Sequence, residues 1–190
     1  MKKPIFIIEH LEKGISKWSL IEYKNISSFI GKNNLWFTNI KRKNKSLERY
    51  GKIIKNPVKS LSLKNACLLD PASPKTLSPK EAKKFSFFIF GGILGDYPPK
   101  KRTKKELTPF LPEAETRNLG KKQFATDNAV FIVKEILKGK SISSLKFKNK
   151  ITIKINDIES IILPFKYCLV NNKPLISKEI ISYLKRKKGF

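Results

Sequence analysis

Residues Phe85 to Phe90 form a run that is apolar but for Ser86, and it is followed at once by Gly91-Gly92-Ile93-Leu94-Gly95-Asp96-Tyr97-Pro98-Pro99. A short apolar run closed by turn residues reads as a strand with both faces covered, as in a parallel sheet with helices on both sides. Pro4 to Ile8, Leu35 to Ile40 and Ala66 to Asp70 have the same character. Between them lie helical patterns. Ser16 to Ile30 places Trp18, Ile21, Tyr23, Ile26, Phe29 and Ile30 near helical spacing, with Ser16 as the N-cap and Gly31 as the stop. Thr126 to Leu137 carries Val130, Val133, Ile136 and Leu137 on one face and ends at Gly139. Shorter helical turns are expected at Ser46 to Tyr50, after Ser78 as a cap with Pro79 at the first position and Glu81 at the third, and at Thr103 to Leu107. Thr116 to Leu119, Ile151 to Ile155 and Ser160 to Leu163 read as further strands, and Ser177 caps a last helix that ends in the basic run Lys185 to Lys188. The alternation predicts an α/β fold over one domain, residues 1–190.

Charge narrows the partners. Lys plus Arg total 41 against 15 Asp plus Glu, a formal net charge of +26. Such a field favours anionic partners and says nothing of fold. Nucleic acid is the first candidate for a basic domain of ordinary hydrophobic content. A composition biased toward Lys, Ile and Asn accounts for part of the excess. Cys67 and Cys168 lie in apolar runs and read as buried thiols of a reducing cytoplasm. With one histidine, His10, and no CxxC, no metal site is expected. No apolar stretch reaches the length of a membrane span, and Glu9 interrupts the first one too early for a signal peptide.

Three segments could hold a ligand. Gly91 to Asp96 leaves a buried strand, where α/β proteins bind ligands, and its glycines allow close approach. It is neither a dinucleotide fingerprint nor a P-loop. Arg117-Asn118-Leu119-Gly120, with Gln123, Thr126 and Asp127, is the second, although Thr126 alone reads better as a helix cap. Leu163-Pro164-Phe165-Lys166-Tyr167 is the third and by itself reads as core. Glu9 and His10 end the first strand, where an adjacent Glu and His most often form a structural hydrogen-bonded pair.

Taken in order, IIEHLEKGISKWSLIEY, CLLDP, FGGILGDYPPKKRTKKEL, RNLGKKQFATDNAV and LPFKY resemble the SPOUT-class methyltransferases of the family that includes a yeast enzyme methylating an arginine of a small-subunit ribosomal protein. Archaeal members of that family are described as probable RNA methyltransferases. The resemblance covers nearly the whole chain. It departs at Tyr97, Phe124, Asn128 and Lys166, where the family carries His, Met, Thr and Arg. It implies a SPOUT-type parallel sheet with a C-terminal trefoil knot, an exception to unthreaded chains. It also implies that S-adenosyl-L-methionine is held by Gly91, Gly92, Ile93, Leu94, Gly95 and Asp96, by Leu119, Gly120, Gln123 and Thr126, and by Leu163, Pro164 and Phe165. A monomer is implied, with a homodimer as the alternative.

For an arginine acceptor, a carboxylate must orient the guanidinium and take its proton. Glu9 and Asp96, with Glu22 behind them, are the candidates on strand-end position and on the resemblance. The alternative is an RNA methyltransferase acting on tRNA or rRNA, with Lys100, Lys101, Arg102, Lys104 and Lys105 holding phosphates. A non-catalytic RNA-binding protein on the same fold is the third reading, and the glycine bends argue against it.

Overall fold

In the computed structural model, which describes residues 3–42, 44–95 and 97–187, the apolar runs line up as one sheet. Its strands are β1 (Ile5–His10), β2 (Leu35–Thr38), β3 (Lys52–Ile53), β4 (Ala66–Leu69), β5 (Phe87–Gly92) and β6 (Glu115–Arg117). They are ordered β3-β2-β1-β5-β4-β6, and every neighbouring pair is parallel. Between them run α1 (Lys17–Ile30), α2 (Lys45–Glu48), α3 (Pro79–Ala82) and α4 (Arg102–Glu106), and α5 (Thr126–Leu137) follows β6.

Both faces are covered, which is why the strands are apolar throughout. On one face Phe6, Ile8, Phe37, Phe88 and Phe90 pack beneath α1 and α5 through Tyr23, Ile26, Val130 and Val133. On the other face Ile7, Leu68 and Ile89 meet Val58 and Leu107. That second cover is made of α4 and two 3₁₀ turns at 58–60 and 108–110 rather than of long helices. Local signals set the helix ends as expected. Ser16 accepts from the Ser19 amide at 3.0 Å, and Ser78 and Glu81 form the reciprocal capping box. Thr126 is not a cap: Ala125 holds that position, and Thr126 is the first helical residue.

The C-terminal third departs from the expected single sheet. β8 (Ile151–Lys154) and β9 (Ser160–Leu163) form an antiparallel hairpin of their own. Ile151, Ile153 and Leu163 face a second core with Ile21, Tyr167 and Leu184, while Thr152 and Lys154 are exposed. Alternation of this kind marks a sheet buried on one face only. β7 (Phe147–Lys148), β10 (Tyr167–Val170) and β11 (Lys173–Pro174) make a third small sheet, and α6 (Lys178–Lys187) packs on α1. β3, β7, β11 and β10 are too short or too mixed in composition to announce themselves. Asn128 joins this part to α5: its amide donates to the Leu175 carbonyl and its oxygen accepts from the Cys168 amide, both at 2.9 Å.

Cys67 and Cys168 are buried and unpaired, and burial pushes the Cys67 thiol up to about 12. Phe88 is fully buried at the centre of the sheet. Phe88→Ala should cost about 3–5 kcal/mol in urea unfolding, the usual price of an aromatic deleted from a packed core. In the native protein Cys67 should resist a thiol reagent and react only on unfolding.

Candidate functional site

The three bends named from the sequence converge beyond the C-terminal ends of the central strands. The first, Gly91 to Gly95, is held by an acidic residue of the loop after β1. Glu12 Oε1 accepts from the Leu94 amide at 3.0 Å and from Arg102 Nη1 at 2.6 Å, and Arg102 Nε donates to Glu106 at 2.7 Å. The second bend is fixed by Asn118. Its amide donates to the Lys75 carbonyl at 2.7 Å, its carbonyl accepts from the Leu77 amide at 3.0 Å, and its side-chain oxygen accepts from the Gly120 amide at 2.8 Å. Gly120 takes φ +101°, a conformation that disfavours any side chain. The third bend, Pro164 to Lys166, joins the second through the Lys166 amide, which donates to the Gln123 carbonyl at 2.9 Å. All three meet at Gly95. A Cβ there would lie 2.5 Å from the Phe165 ring and 2.7 Å from Gln123 Nε2.

Two adjoining cavities open at this junction, of about 550 Å³ and 580 Å³. Gly91, Leu119, Gly120 and Gln123 line the first. Leu94, Gly95 and Glu22 line the second, with Trp18 and Tyr183. Ile93, Thr126, Pro164 and Phe165 form the wall between them. Two of the expected residues line neither. Gly92 is packed beneath Tyr23, whose hydroxyl would lie 2.4 Å from an added Cβ, and Leu163 is core. Asp96 lies outside the described residues.

The carboxylates are arranged differently from the sequence expectation. Glu9 lines neither cavity. It is buried on the face of β1 opposite His10, where it accepts from the Thr38 hydroxyl and, at 2.9 Å, from the Val58 amide. Its burial outweighs these bonds and raises its pKa. Glu9 and His10 therefore form no pair: His10 Nδ1 shares a 2.9 Å hydrogen bond with the Tyr23 hydroxyl, because alternate strand residues face opposite ways. The sheet also separates Glu9 from Glu22, which lies on α1.

Glu22 has a different companion. Asp127, in the first turn of α5, is buried against α1, accepts from Asn25 Nδ2 at 2.8 Å and from the Asn128 amide at 2.7 Å, and raises the Glu22 pKa further. Desolvation is the first cause for both residues, and the Glu22 pKa stands well above the usual carboxylate range. Both carboxyls accept bonds that stabilise an anion, Asp127 from Asn25 and Asn128 and Glu22 from Trp18, and desolvation outweighs them at both. The pairing joins two helices far apart in the chain, and no local signal in the sequence marks it.

The rim of the first cavity is basic. Lys101, Lys121 and Lys122 line it, and among the described residues no carboxylate is within ion-pair distance of any of them. Its arginines are already occupied, Arg102 as above and Arg117 by Glu81 and Glu115. Two of the unusual residues touch each other: Lys166 Nζ lies 5.4 Å from the Phe124 ring centroid and 4.1 Å from that of Phe147.

The family described as protein arginine N-methyltransferase SFM1-like matches residues 5–189. The chain belongs to the SFM1-like family. Protein arginine N-methyltransferase SFM1 of Saccharomyces cerevisiae is 32% identical to it, over 95% of this chain and 94% of the yeast protein. The crystal structure of the yeast enzyme complexed with SAM matches with a TM-score of 0.90 at 31% identity, over 98% of this chain and 92% of that one. Yeast SFM1 structures complexed with SAH and with MTA match with TM-scores of 0.88 and 0.84. Trm10 from Thermococcus kodakaraensis, 20% identical, matches with a TM-score of 0.55 over 73% of this chain and 95% of that one, a likeness of fold alone. The sheet with its flanking helices is thus the SPOUT-class methyltransferase fold.

The Glu22–Asp127 pair has a measurable signature. A carboxyl whose pKa is higher folded than unfolded binds more protons in the folded state, so its contribution to stability is lost as pH rises from the unfolded value, near 4, through the folded one. Glu22→Gln should therefore raise the melting temperature relative to the parent at neutral pH and above. The difference should vanish toward pH 4, as followed by circular dichroism.

Proposed function

We propose that this protein is an S-adenosyl-L-methionine-dependent methyltransferase that modifies an arginine of a small-subunit ribosomal protein, acting as a one-domain monomer in the cytoplasm. The observation that carries the reading is the meeting of three glycine- and proline-bearing bends around a cavity that adjoins a buried carboxylate. No helix of the described residues is long and apolar enough to cross a membrane.

The first cavity fits the cofactor. Its size is that of an ordinary small-molecule site. Leu119, Pro164 and Phe165 offer apolar surface to a nucleoside, and the backbone at Gly91 and Gly120 is bare. The sulfonium of S-adenosyl-L-methionine, when bound, supplies an electrophilic methyl group. Gly91, Ile93, Leu119, Gly120, Gln123, Thr126, Pro164 and Phe165 would hold the cofactor, with Leu94 and Gly95 at the junction of the two cavities and Asp96 as further expected contacts. A C-terminal trefoil knot belongs to the same reading, as the resemblance to SPOUT methyltransferases implies.

Glu22 suits the other half of the reaction. The second cavity is apolar, walled by Trp18 and Tyr183, and Glu22 is the carboxylate on its lining among the described residues. Two desolvated carboxyl groups create a place where a cation is stabilised, and a guanidinium provides one. Binding of the cationic guanidinium displaces the proton of Glu22 to solvent, and the resulting carboxylate orients the guanidinium and takes the proton that leaves the nitrogen on alkylation, with Asp127 behind it. Glu9, bound to Thr38 and Val58, has a structural role in this reading.

The basic rim favours a target set in nucleic acid. The cofactor carries net positive charge and so does arginine, so Lys101, Lys121 and Lys122 repel both and suit phosphates instead. An RNA acceptor would use the same rim, and the buried carboxyl of Glu22 on the second cavity favours arginine, because a neutral nucleobase or ribose has no cation to offer it.

The deciding measurement is transfer of a labelled methyl group to ribosomal subunits, followed by nuclease or protease digestion. Label released by protease as methylarginine is expected, and label released by nuclease alone overturns the arginine reading. Glu22→Gln should lower turnover by about 10²- to 10⁴-fold with cofactor affinity little changed. Gly95→Ala, by forcing Phe165 and Gln123 apart, should weaken S-adenosyl-L-methionine binding in calorimetry by about tenfold or more.

A further inference from the structure

The basic rim gathers charge that neither half of the reaction relieves. Lys101, Lys121, Lys122 and Lys166 all line the first cavity, and among the described residues no carboxylate is within ion-pair distance of any of them. Asp70, the carboxylate of that lining among the described residues, is already engaged: it is buried and accepts from the Ala72 amide at 2.8 Å and from the Thr108 hydroxyl at 2.7 Å. Lys166 lies over the Phe124 and Phe147 rings, and burial, followed by the charge of Lys122, holds its ammonium below the usual lysine range. Like charges gathered at one opening repel until an anion sits among them. Sulfonium and guanidinium are both cations, and the cofactor brings a single carboxylate, too few for this group of lysines.

An uncovered aromatic ring stands among these lysines. Tyr97 lines both cavities and is 76% exposed, whereas Phe124, which also lines both, lies beneath Lys166. An acidic protein segment would satisfy the ammonium groups and leave the ring bare. A nucleic-acid strand satisfies both, because single strands are held by a basic track that follows the phosphates and by aromatic rings that stack on bases. Lysine suits such a track, since its compact charge meets phosphate from many directions. Tyr97 and Phe124 belong to the cavity of Glu22 as well, so a strand on the rim lies beside the cavity proposed for the arginine.

Resting on the arginine-methyltransferase reading above, we propose that the enzyme takes its arginine from a protein already bound to RNA, and that a single-stranded RNA segment next to that arginine lies along the rim, with phosphates on Lys101, Lys121, Lys122 and Lys166 and a base on Tyr97. The substrate class is a protein–RNA complex rather than the free protein. RNA is held as part of the substrate and is not itself methylated. Affinity comes from the RNA and the choice of acceptor from the cavity of Glu22, as phosphate contacts position a complex without reading it.

The full chain is tested first with a single-stranded oligouridine of about twelve nucleotides, by fluorescence anisotropy. Affinity should fall with salt, and the rim lysines should together contribute about 3 to the slope of log K against log salt. Lys121→Gln combined with Lys122→Gln should reduce the slope by about 1.4. Lys83→Gln combined with Lys84→Gln, just before β5 begins and so at the far end of the sheet from the cavities, should change it little. Tyr97→Ala should weaken oligouridine by about tenfold with the slope unchanged, and Tyr97→Phe should restore it. In methyl transfer to ribosomal subunits, the Lys121 and Lys122 double variant should raise KM by about tenfold, with kcat, melting temperature and calorimetric S-adenosyl-L-methionine affinity preserved. It should leave KM unchanged for the same protein target freed of RNA, for which the parent's KM is already higher. An unchanged KM for subunits in the double variant, or a KM for the RNA-free target as low as that for subunits, overturns the proposal and leaves the arginine reading standing. So does weaker cofactor binding in the double variant with oligouridine binding intact, which assigns these lysines to the cofactor's carboxylate. Polyglutamate that displaces labelled oligouridine as well as unlabelled oligouridine does, and an unaltered affinity in Tyr97→Ala, assign the rim to an acidic protein instead. Label recovered in RNA and not in methylarginine removes both readings.

Discussion

Strand β5 lies between β1 and β4 with Phe88 and Phe90 packed on one face of the sheet and Phe87 and Ile89 on the other, and this two-sided desolvation organises the rest. A strand buried on both faces has nowhere to go at its end except out through a bend, and the side chains packed beside it decide how tight that bend is. At Gly92 the Tyr23 hydroxyl and the Ile8 side chain already occupy the space a Cβ would need. The first bend is thus an outcome of core packing, and Glu12 and Arg102 add the ties that aim it at the other two.

Charge is managed in the same economical way. With 15 acidic residues against 41 basic ones, carboxylates are too few to pair every base, and several of them sit where they constrain geometry. Glu12, Glu81, Glu106 and Glu115 hold the two arginines near the first cavity. Glu9 ties β1 to Thr38 and Val58. Glu22 and Asp127 remain as a buried pair without a counter-cation among the described residues, which costs stability. Basic rim and acidic interior give the site two preferences of opposite sign, side by side.

Much of this was legible in the residues. The apolar runs announced buried strands, because side chains that face two covers must all be apolar. Ser16 and Ser78 announced helix starts, because a hydroxyl that accepts an orphan amide bond acts within three residues of itself. The glycine- and proline-bearing bends announced loops that a ligand could approach, and the joint order of those segments carried the resemblance to SPOUT methyltransferases. Charge alone raised the expectation of anionic surroundings. All of these are properties of neighbours along the chain or of its total composition.

What the tertiary structure decided depends on residues far apart in the sequence. Glu9 and His10 looked like a pair, and the pleat turned them to opposite faces. Glu22 and Asp127 gave no sign of each other until α1 packed on α5. Phe124 and Lys166, two separate departures from the family pattern, proved to be one contact, since the second and third bends lie against each other. The 151–163 strands left the main sheet because their alternating pattern has one apolar face and only one surface to cover it. Desolvation, like-charge coupling and strand register arise when distant segments exclude water together, so no window of sequence can contain them.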